Sequence, residues 1–328
     1  MRADEIKAEL IKLQALEGEL DPIAEFYQAA KLNLDSLGVD DFKKLDQKLK
    51  DTALMVAALK GDETGVRFCV ANGASLYAHH NTRPILHAVA WSGNLKMLQV
   101  LLDIDPKVVN ITDALGMNAL QLLIDESAQN ASQKTQRTQI ATFLIERGIL
   151  GSHRDRKSKE GFDALYYAAK NGYTQVALAL IEQKSWLNVA YPDKTNVLYW
   201  AFENNDTELK NALLENKDFD FGTALSNVNA YRKSIQNQDD RTSVVNLMVA
   251  MIAACPLKKV KGLEVLKDSN RPEIKKALKD YNYDLGPKPT AVKLMKASTV
   301  EKGIGRLPPG YTIPAENNQG VQNKQSKF

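Results

Sequence analysis

The sequence predicts an all-α solenoid of stacked helix-turn-helix units joined by short hairpins. Three observations predict it. A two-helix pattern first met at Asp51–Ala74 returns downstream at intervals of about 33 residues, and fixed-period self-similarity outranks any single motif. Alanine and leucine pairs recur at matching points of each unit. Glycine or asparagine falls where each first helix must end.

The first unit, DTALMVAALKGDETGVRFCVANGA, reads as a helix, a turn at Gly61-Asp62, a second helix, and a stop at Gly73-Ala74. Thr52, Leu54, Ala57, Ala58 and Gly61 carry its first half, and Val66, Cys69, Val70, Gly73 and Ala74 its second. This pattern resembles the ankyrin repeat, T-P-L-H-x-A-A-x-x-G followed by V-x-x-L-L-x-x-G-A. The second unit has Pro84, Leu86, His87, Ala88, Ala90 and Gly93, then Leu98, Leu101 and Leu102, with proline where the family has threonine. The third opens on Asp113-Ala-Leu-Gly116 and ends on Phe143, Leu144, Ile145 and Gly148. It carries about nine extra polar residues near 127–136, expected either to lengthen the inter-helix connection or to extend the helices. The fourth has Gly161, Ala164, Leu165, Ala168, Ala169 and Gly172, then Leu180 and Ile181. The fifth has Asn196, Leu198, Ala201 and Leu213-Leu214, with Asn205 at the glycine position, a residue that tolerates a left-handed backbone.

Residues 1–46 match no repeat. Ile6, Leu10, Leu13, Leu16 and Leu20 recur at helical spacing and predict an amphipathic helix. Asp21-Pro22 reads as a cap and first helical position, starting a second helix to about Leu32. Asp35 or Asp40-Asp41 is expected to cap a third. The end units of a solenoid expose an apolar face, so a helical cap is expected here, with a separate binding helix as the alternative. The five units span 47–217. Residues 218–284 form a helical C-terminal region of one or two degenerate repeats, with candidate helices at 244–255, 260–265 and 274–278 and a break at Asn270-Arg271-Pro272. From 285 to 328 the composition turns to Gly, Pro, Asn, Gln and Lys, which predicts disorder.

Composition narrows the class. The 328 residues are 44% apolar and 25% charged, with a net charge of +3 too small to imply a polyanionic partner such as nucleic acid. Cys69 and Cys255 lie far apart within apolar runs, as structural thiols of a reducing compartment would. Residues 1–5 carry no signal-peptide pattern, and no apolar run reaches the roughly 20 residues that span a bilayer. The protein is expected in the cytoplasm, or secreted into a host cell without an N-terminal signal, and as a monomer.

No catalytic motif is present: neither G-x-x-x-x-G-K-[ST], H-E-x-x-H nor G-x-S-x-G occurs. The resemblance makes His87 structural, with its ring bonded to nearby backbone, and Cys69 a buried core residue. His79-His80 lack a third ligand, so neither metal nor cofactor is expected.

Members of the family bind proteins through a concave side made of hairpin tips and the exposed ends of first helices. Carried onto matching positions, this implies partner-binding residues Leu59, Arg83, Trp91, Met117, Phe162 and Lys170. Leu59, Trp91, Met117 and Phe162 would form one apolar patch across units one to four, anchored by Trp91 with Arg83 beside it. Packing of Trp91 on its own neighbours is the competing reading. A second candidate is the tail motif Pro308, Pro309 and Tyr311, which resembles the P-P-x-Y ligand of WW domains, although prolines in a linker explain it more simply. Residues 256–302 hold 11 Lys and one Arg against six acidic residues, which suits a solvated face or an anionic surface.

The resemblance therefore implies a non-enzymatic adaptor binding another protein. The irregular repeats and helical flanks are similar to ankyrin-repeat effectors that intracellular bacteria deliver into host cells, and an endogenous scaffold fits the same residues. Two alternatives stay open: an enzyme with its active site in the divergent flanks, and attachment to an anionic surface through 256–302.

Overall fold

A polar side chain opens most helices of the array, and a left-handed residue closes the first helix of four units. The computed structural model describes residues 3–15, 37–80, 83–125, 127–151, 161–183, 185, 187–255, 266 and 271–280. The chain divides into residues 1–283 and 284–328, and the second unit lies wholly outside the described residues. The tail expected to be disordered, Pro308, Pro309 and Tyr311 fall there. The helices expected at 21–32 and 260–265 also lie outside.

The N-terminal helix α1 (Ala3–Ala15) lays Ile6, Leu10 and Leu13 against the first array helix, burying all three as their spacing predicts. The short α2 (Val39–Lys43) starts after Gly38 with no side-chain cap, so Asp40 and Asp41 sit inside its first turn rather than capping it. There they face the positive end of the helix dipole. Phe42 meets Phe68 edge-on at 5.1 Å.

Five helix pairs follow. They are α3 (Gln47–Lys60) with α4 (Glu63–Ala71), and α5 (Ile85–Ser92) with α6 (Leu95–Ile104). Next come α7 (Ala119–Ile124) with α8 (Ala131–Glu146), and α9 (Ala164–Lys170) with α10 (Thr174–Glu182). The fifth pair is α11 (Val197–Glu203) with α12 (Thr207–Glu215). First helices stack on first helices throughout, giving an all-α solenoid. Strands β1 (His79–His80) and β2 (Arg83–Pro84) pair antiparallel between the first two units, and Thr112 bridges Asn118 between the next two.

The core lies between the helix layers. Leu54, Leu86, Leu120, Leu165 and Leu198 occupy one repeat position and are at most 1% exposed. Each stabilises by roughly 1.5–3 kcal/mol. The first helices end on Gly61 (φ 76°), Gly93 (φ 83°), Gly172 (φ 70°) and Asn205 (φ 51°), so asparagine does take the left-handed turn in unit five. Side-chain caps come from Asp46, Asp62, Asn94, Asn118, Asp163, Asn196 and Asp206, each accepting from an N–H three residues on. Such caps stabilise by about 1 kcal/mol each.

One local expectation changes. The first helix of unit one starts before the Asp51 at which its pattern opens: α3 begins at Gln47, capped by Asp46, and runs through Asp51. Thr52 Oγ1 accordingly donates to the Lys48 carbonyl one turn back. The insertion of unit three takes the second of its two expected forms, extended helix, because Asn130 caps α8 and lengthens it to 16 residues.

Beyond the pairs, α13 (Phe221–Ser234) and α14 (Gln238–Ala254) pack together, and α15 (Pro272–Asp280) packs on α14. Val244, Val245, Met248, Met251 and Ile252 are buried, as the apolar run from Val244 predicts. Pro272 opens the last helix of the described residues.

Candidate partner-binding face

One repeat position joins each of units two to five to the element that follows it. It is the histidine position of the second unit, held by His87, Gln121, Tyr166 and Tyr199 in turn. His87 Nε2 lies 2.9 Å from the Met117 carbonyl, and Gln121 Nε2 donates to the Phe162 carbonyl at 2.9 Å. Tyr166 O–H donates to Asp193 Oδ2 at 2.8 Å, and the Tyr199 ring meets Tyr231 edge-on at 5.2 Å. The residues are chemically unlike, but each reaches the following hairpin or helix. Because the Met117 carbonyl only accepts, His87 holds its proton on Nε2. Burial drives its pKa down to about 4, against the smaller opposing effect of the bond to Met117. The ring is therefore a neutral structural cross-link.

A second set of contacts seals the helix turns. Asn171 Nδ2 donates to the carbonyls of Ile124 and Asp125, ending α7. Asn204 Nδ2 donates likewise to Ala169 and Lys170, ending α9. Carbonyls that a helix C-terminus leaves unpaired are thus satisfied from the next unit.

The six expected contact residues do not form one patch. Leu59 is 4% exposed and Met117 is fully buried, so both leave the binding surface. Leu59 lies in a helix packed by α1, α4 and α5, where every residue from Asp51 to Leu59 is buried. Met117 is drawn inward by Asp113, whose Oδ1 accepts from the N–H groups of Leu115 and Met117. Arg83 is half-buried in β2. The remaining three occupy two separate foci.

Trp91 is 40% exposed and has the Arg137 guanidinium 4.5 Å over its ring. Arg137 is buried and donates to the Tyr173 hydroxyl at 3.3 Å, so one side chain from α8 touches units two and four. Gln136 Nε2 donates to the Gly93 carbonyl at 3.5 Å, while Ser127 Oγ donates to Asn171 Oδ1 at 3.4 Å. Trp91 therefore packs on a neighbour with one face and leaves the other open. Between the start of α8 and the turns of units four and five lies a polar cleft of about 750 Å³, lined by Lys134, Asn171, Asn204, Asp206 and Glu208. Its carboxylates are engaged: Thr174 Oγ1 donates to Asp206 and Gln175 Nε2 to Glu208.

The other focus is aromatic. Phe162 lies 4.3 Å from Tyr166, ring to ring, and 6.1 Å from Tyr191. Tyr166 meets Trp200 edge-on at 6.2 Å. The Lys170 ammonium sits 5.3 Å over Tyr166 and 5.6 Å over Trp200, and donates to the Tyr166 hydroxyl. Tyr191 O–H donates to Asp163 Oδ1 at 2.7 Å, which fixes the hairpin beneath. Phe162 and Trp200 are half-buried and Lys170 is exposed, so a cation on an aromatic floor faces outward. The choice of contact residues from sequence missed Trp200, Tyr191 and Arg137. A signal for the first was present, since Tyr166-Tyr167 and Tyr199-Trp200 are aromatic pairs at the same point of successive units. Arg137 had none, because its environment depends on how the insertion folds.

Cys69 is fully buried, and burial, aided by the charge of Asp62, pushes its thiol up to about 12. Such a thiol is not a nucleophile at neutral pH.

Two family profiles match the chain: one described as ankyrin repeats (many copies) over residues 51–102, and one described as ankyrin repeats (3 copies) over residues 109–224. No curated protein matches it. The matched segments carry the two-helix units described above, and the chain belongs to the ankyrin-repeat family.

Proposed function

From membership in the ankyrin-repeat family, we propose that this chain is a non-enzymatic, monomeric adaptor that holds a partner protein on the first-helix and hairpin face of units two to five. Ankyrin repeats are protein-interaction modules, typically without enzymatic activity, which supports the class. The observation that carries the site is the Lys170 ammonium lying over Tyr166 and Trp200 with Phe162 alongside. A desolvated aromatic surface beside one cation suits a partner segment that presents an apolar side chain next to a carboxylate. Trp91, with Arg83 on the adjoining hairpin, is a second anchor. The helices flanking the array cover its ends, and the tail motif at Pro308, Pro309 and Tyr311 is a separate candidate contact. Action inside a host cell after secretion rests on the resemblance to bacterial effectors, and a resident cytoplasmic scaffold is the other reading. Among the described residues no helix is long and apolar enough to cross a membrane.

The test is affinity capture with wild-type, Lys170→Glu with Trp200→Ala, Trp91→Ala, and Tyr311→Ala baits, each checked by a thermal melt to be folded at the capture temperature. A partner lost from the Lys170/Trp200 bait and kept by Tyr311→Ala supports the site. Loss only from Tyr311→Ala moves recognition to the tail. Capture unchanged across all four baits would falsify the proposed face.

A further inference from the structure

Two arginines, Arg232 and Arg241, meet where α13 ends and α14 begins, and Arg271 at the start of α15 adds like charge. Arg232, in the last turn of α13, is only 8% exposed. Its Nε and Nη2 both donate to Asn229 Oδ1, at 3.1 and 3.0 Å, which orients the guanidinium. Among the described residues its Nη1 has no partner. Arg241, in the first turns of α14, donates through Nε to the Ile235 carbonyl at 2.7 Å, and the N–H of Ile235 bonds back to the Arg232 carbonyl. These contacts hold Arg241 at the end of α13 that carries Arg232. Arg271 precedes Pro272 at the start of α15, where the helix dipole adds positive potential.

Neither Arg232 nor Arg241 forms an ion pair with a carboxylate of the described residues. The acidic groups of these elements, Asp239, Asp240, Glu273 and Asp280, are exposed and bonded to neither. Burial, with the like charges of Arg271 and Arg241, holds the Arg232 guanidinium below its usual range. Buried guanidinium groups ordinarily face a carboxylate or another anion, because removing an unneutralised charge from water is costly. A planar fork of N–H donors matches the geometry of a phosphate oxygen pair.

We propose that Arg232 and Arg241 form a binding site for a phosphate monoester, free or on a lipid headgroup. The site is separate from the partner-binding face, and Asn229 acts in it as a positioning residue that aims Arg232.

The full-length chain is titrated calorimetrically with inorganic phosphate and with phenyl phosphate at fixed ionic strength. It is also sedimented with phosphatidylcholine vesicles, with and without phosphatidylinositol monophosphate. Saturable binding of the monoester is expected, weakened about ten- to a hundredfold by Arg232→Met or Arg241→Gln, since each removes one charge-assisted contact. Lys170→Glu should bind as wild type does. Thermal melts guard against a folding artefact: phosphate should raise the melting temperature of wild type and leave that of Arg232→Met unmoved. Vesicle recruitment that phenyl phosphate displaces supports the site and places the phosphate on a lipid. Monoester binding without recruitment supports it and places the phosphate on a soluble ligand. The proposal is overturned by no saturable monoester binding at millimolar concentration, by binding that both arginine variants retain, or by recruitment that survives those variants and excess phenyl phosphate.

Discussion

Tyr166 in unit four donates its phenolic hydrogen to Asp193 Oδ2 in the hairpin of unit five, 2.8 Å away. The same hydroxyl accepts from Lys170, whose ammonium forms the outer surface of the aromatic focus. A cross-link between repeats and a candidate contact surface are therefore one chain of hydrogen bonds. Its counterpart in unit two is His87, the only member of that repeat position whose charge changes at moderately acidic pH.

That difference makes His87 a source of acid sensitivity. Its pKa falls from an ordinary 6.5 to about 4 in the folded chain, so the unfolded chain binds its proton first as pH drops. The stabilisation is fully present above pH 6.5 and lost progressively down to about pH 4, amounting to about 3 kcal/mol. His87→Gln, which can donate to Met117 as Gln121 donates to Phe162, should remove this share of the pH slope. Denaturant melts of both proteins across that window check it. Parallel curves would show that His87 does not titrate as described.

Lys194 holds a left-handed backbone at φ 65°, the hairpin position filled by glycine at Gly116 (φ 73°) and Gly161 (φ 68°). A side chain there is strained by roughly 1–2 kcal/mol. Lys194→Gly is expected to raise stability by about 0.5–1 kcal/mol, the relief being partly offset by glycine's greater entropy when unfolded. Thermal melting measures this, and a fall in melting temperature would mean the lysine side chain makes a compensating contact.

Cys69, with its thiol pushed up to about 12 by burial, should resist alkylation in the folded chain. Labelling followed by mass spectrometry should show it modified only as fast as the surrounding repeat opens, and rapidly in denaturant. Rapid modification under native conditions would contradict its burial on the core face of α4.

Trp91 and Arg137 should be energetically coupled. A double-mutant cycle of Trp91→Ala and Arg137→Met is expected to give about 0.5–1 kcal/mol, the range for a cation over a partly exposed ring. Trp91→Ala thus costs a little stability as well as an anchor. A coupling energy indistinguishable from zero would make the contact incidental.

The repeat units were legible because their period places the same residue types at the same structural stations: a core leucine, a left-handed turn, a polar cap. Asn205 could be assigned to a glycine station from its chemistry alone, and it holds φ 51°. Exposure was harder to read, since it depends on what packs over a station. Leu59 and Trp91 occupy equivalent points, but α3 is covered where α5 is partly open. Met117 looked like a surface residue because the Asp113 turn that draws it inward joins groups whose orientation only the folded hairpin sets. The aromatic focus spans two units, so no single repeat displays it.

Tandem arrays change in evolution by gaining or losing whole units, which is tolerated when a unit touches only its neighbours through standard stations. The lengthened α8 and the connection before it depart from that rule, since Arg137 and Gln136 reach back to unit two while Arg137 and Ser127 reach forward to unit four. Deleting or duplicating unit three would strand Trp91 on one side and Tyr173 on the other. Units two to four are consequently bound to be inherited as a block, while length variation is free to accumulate at either end.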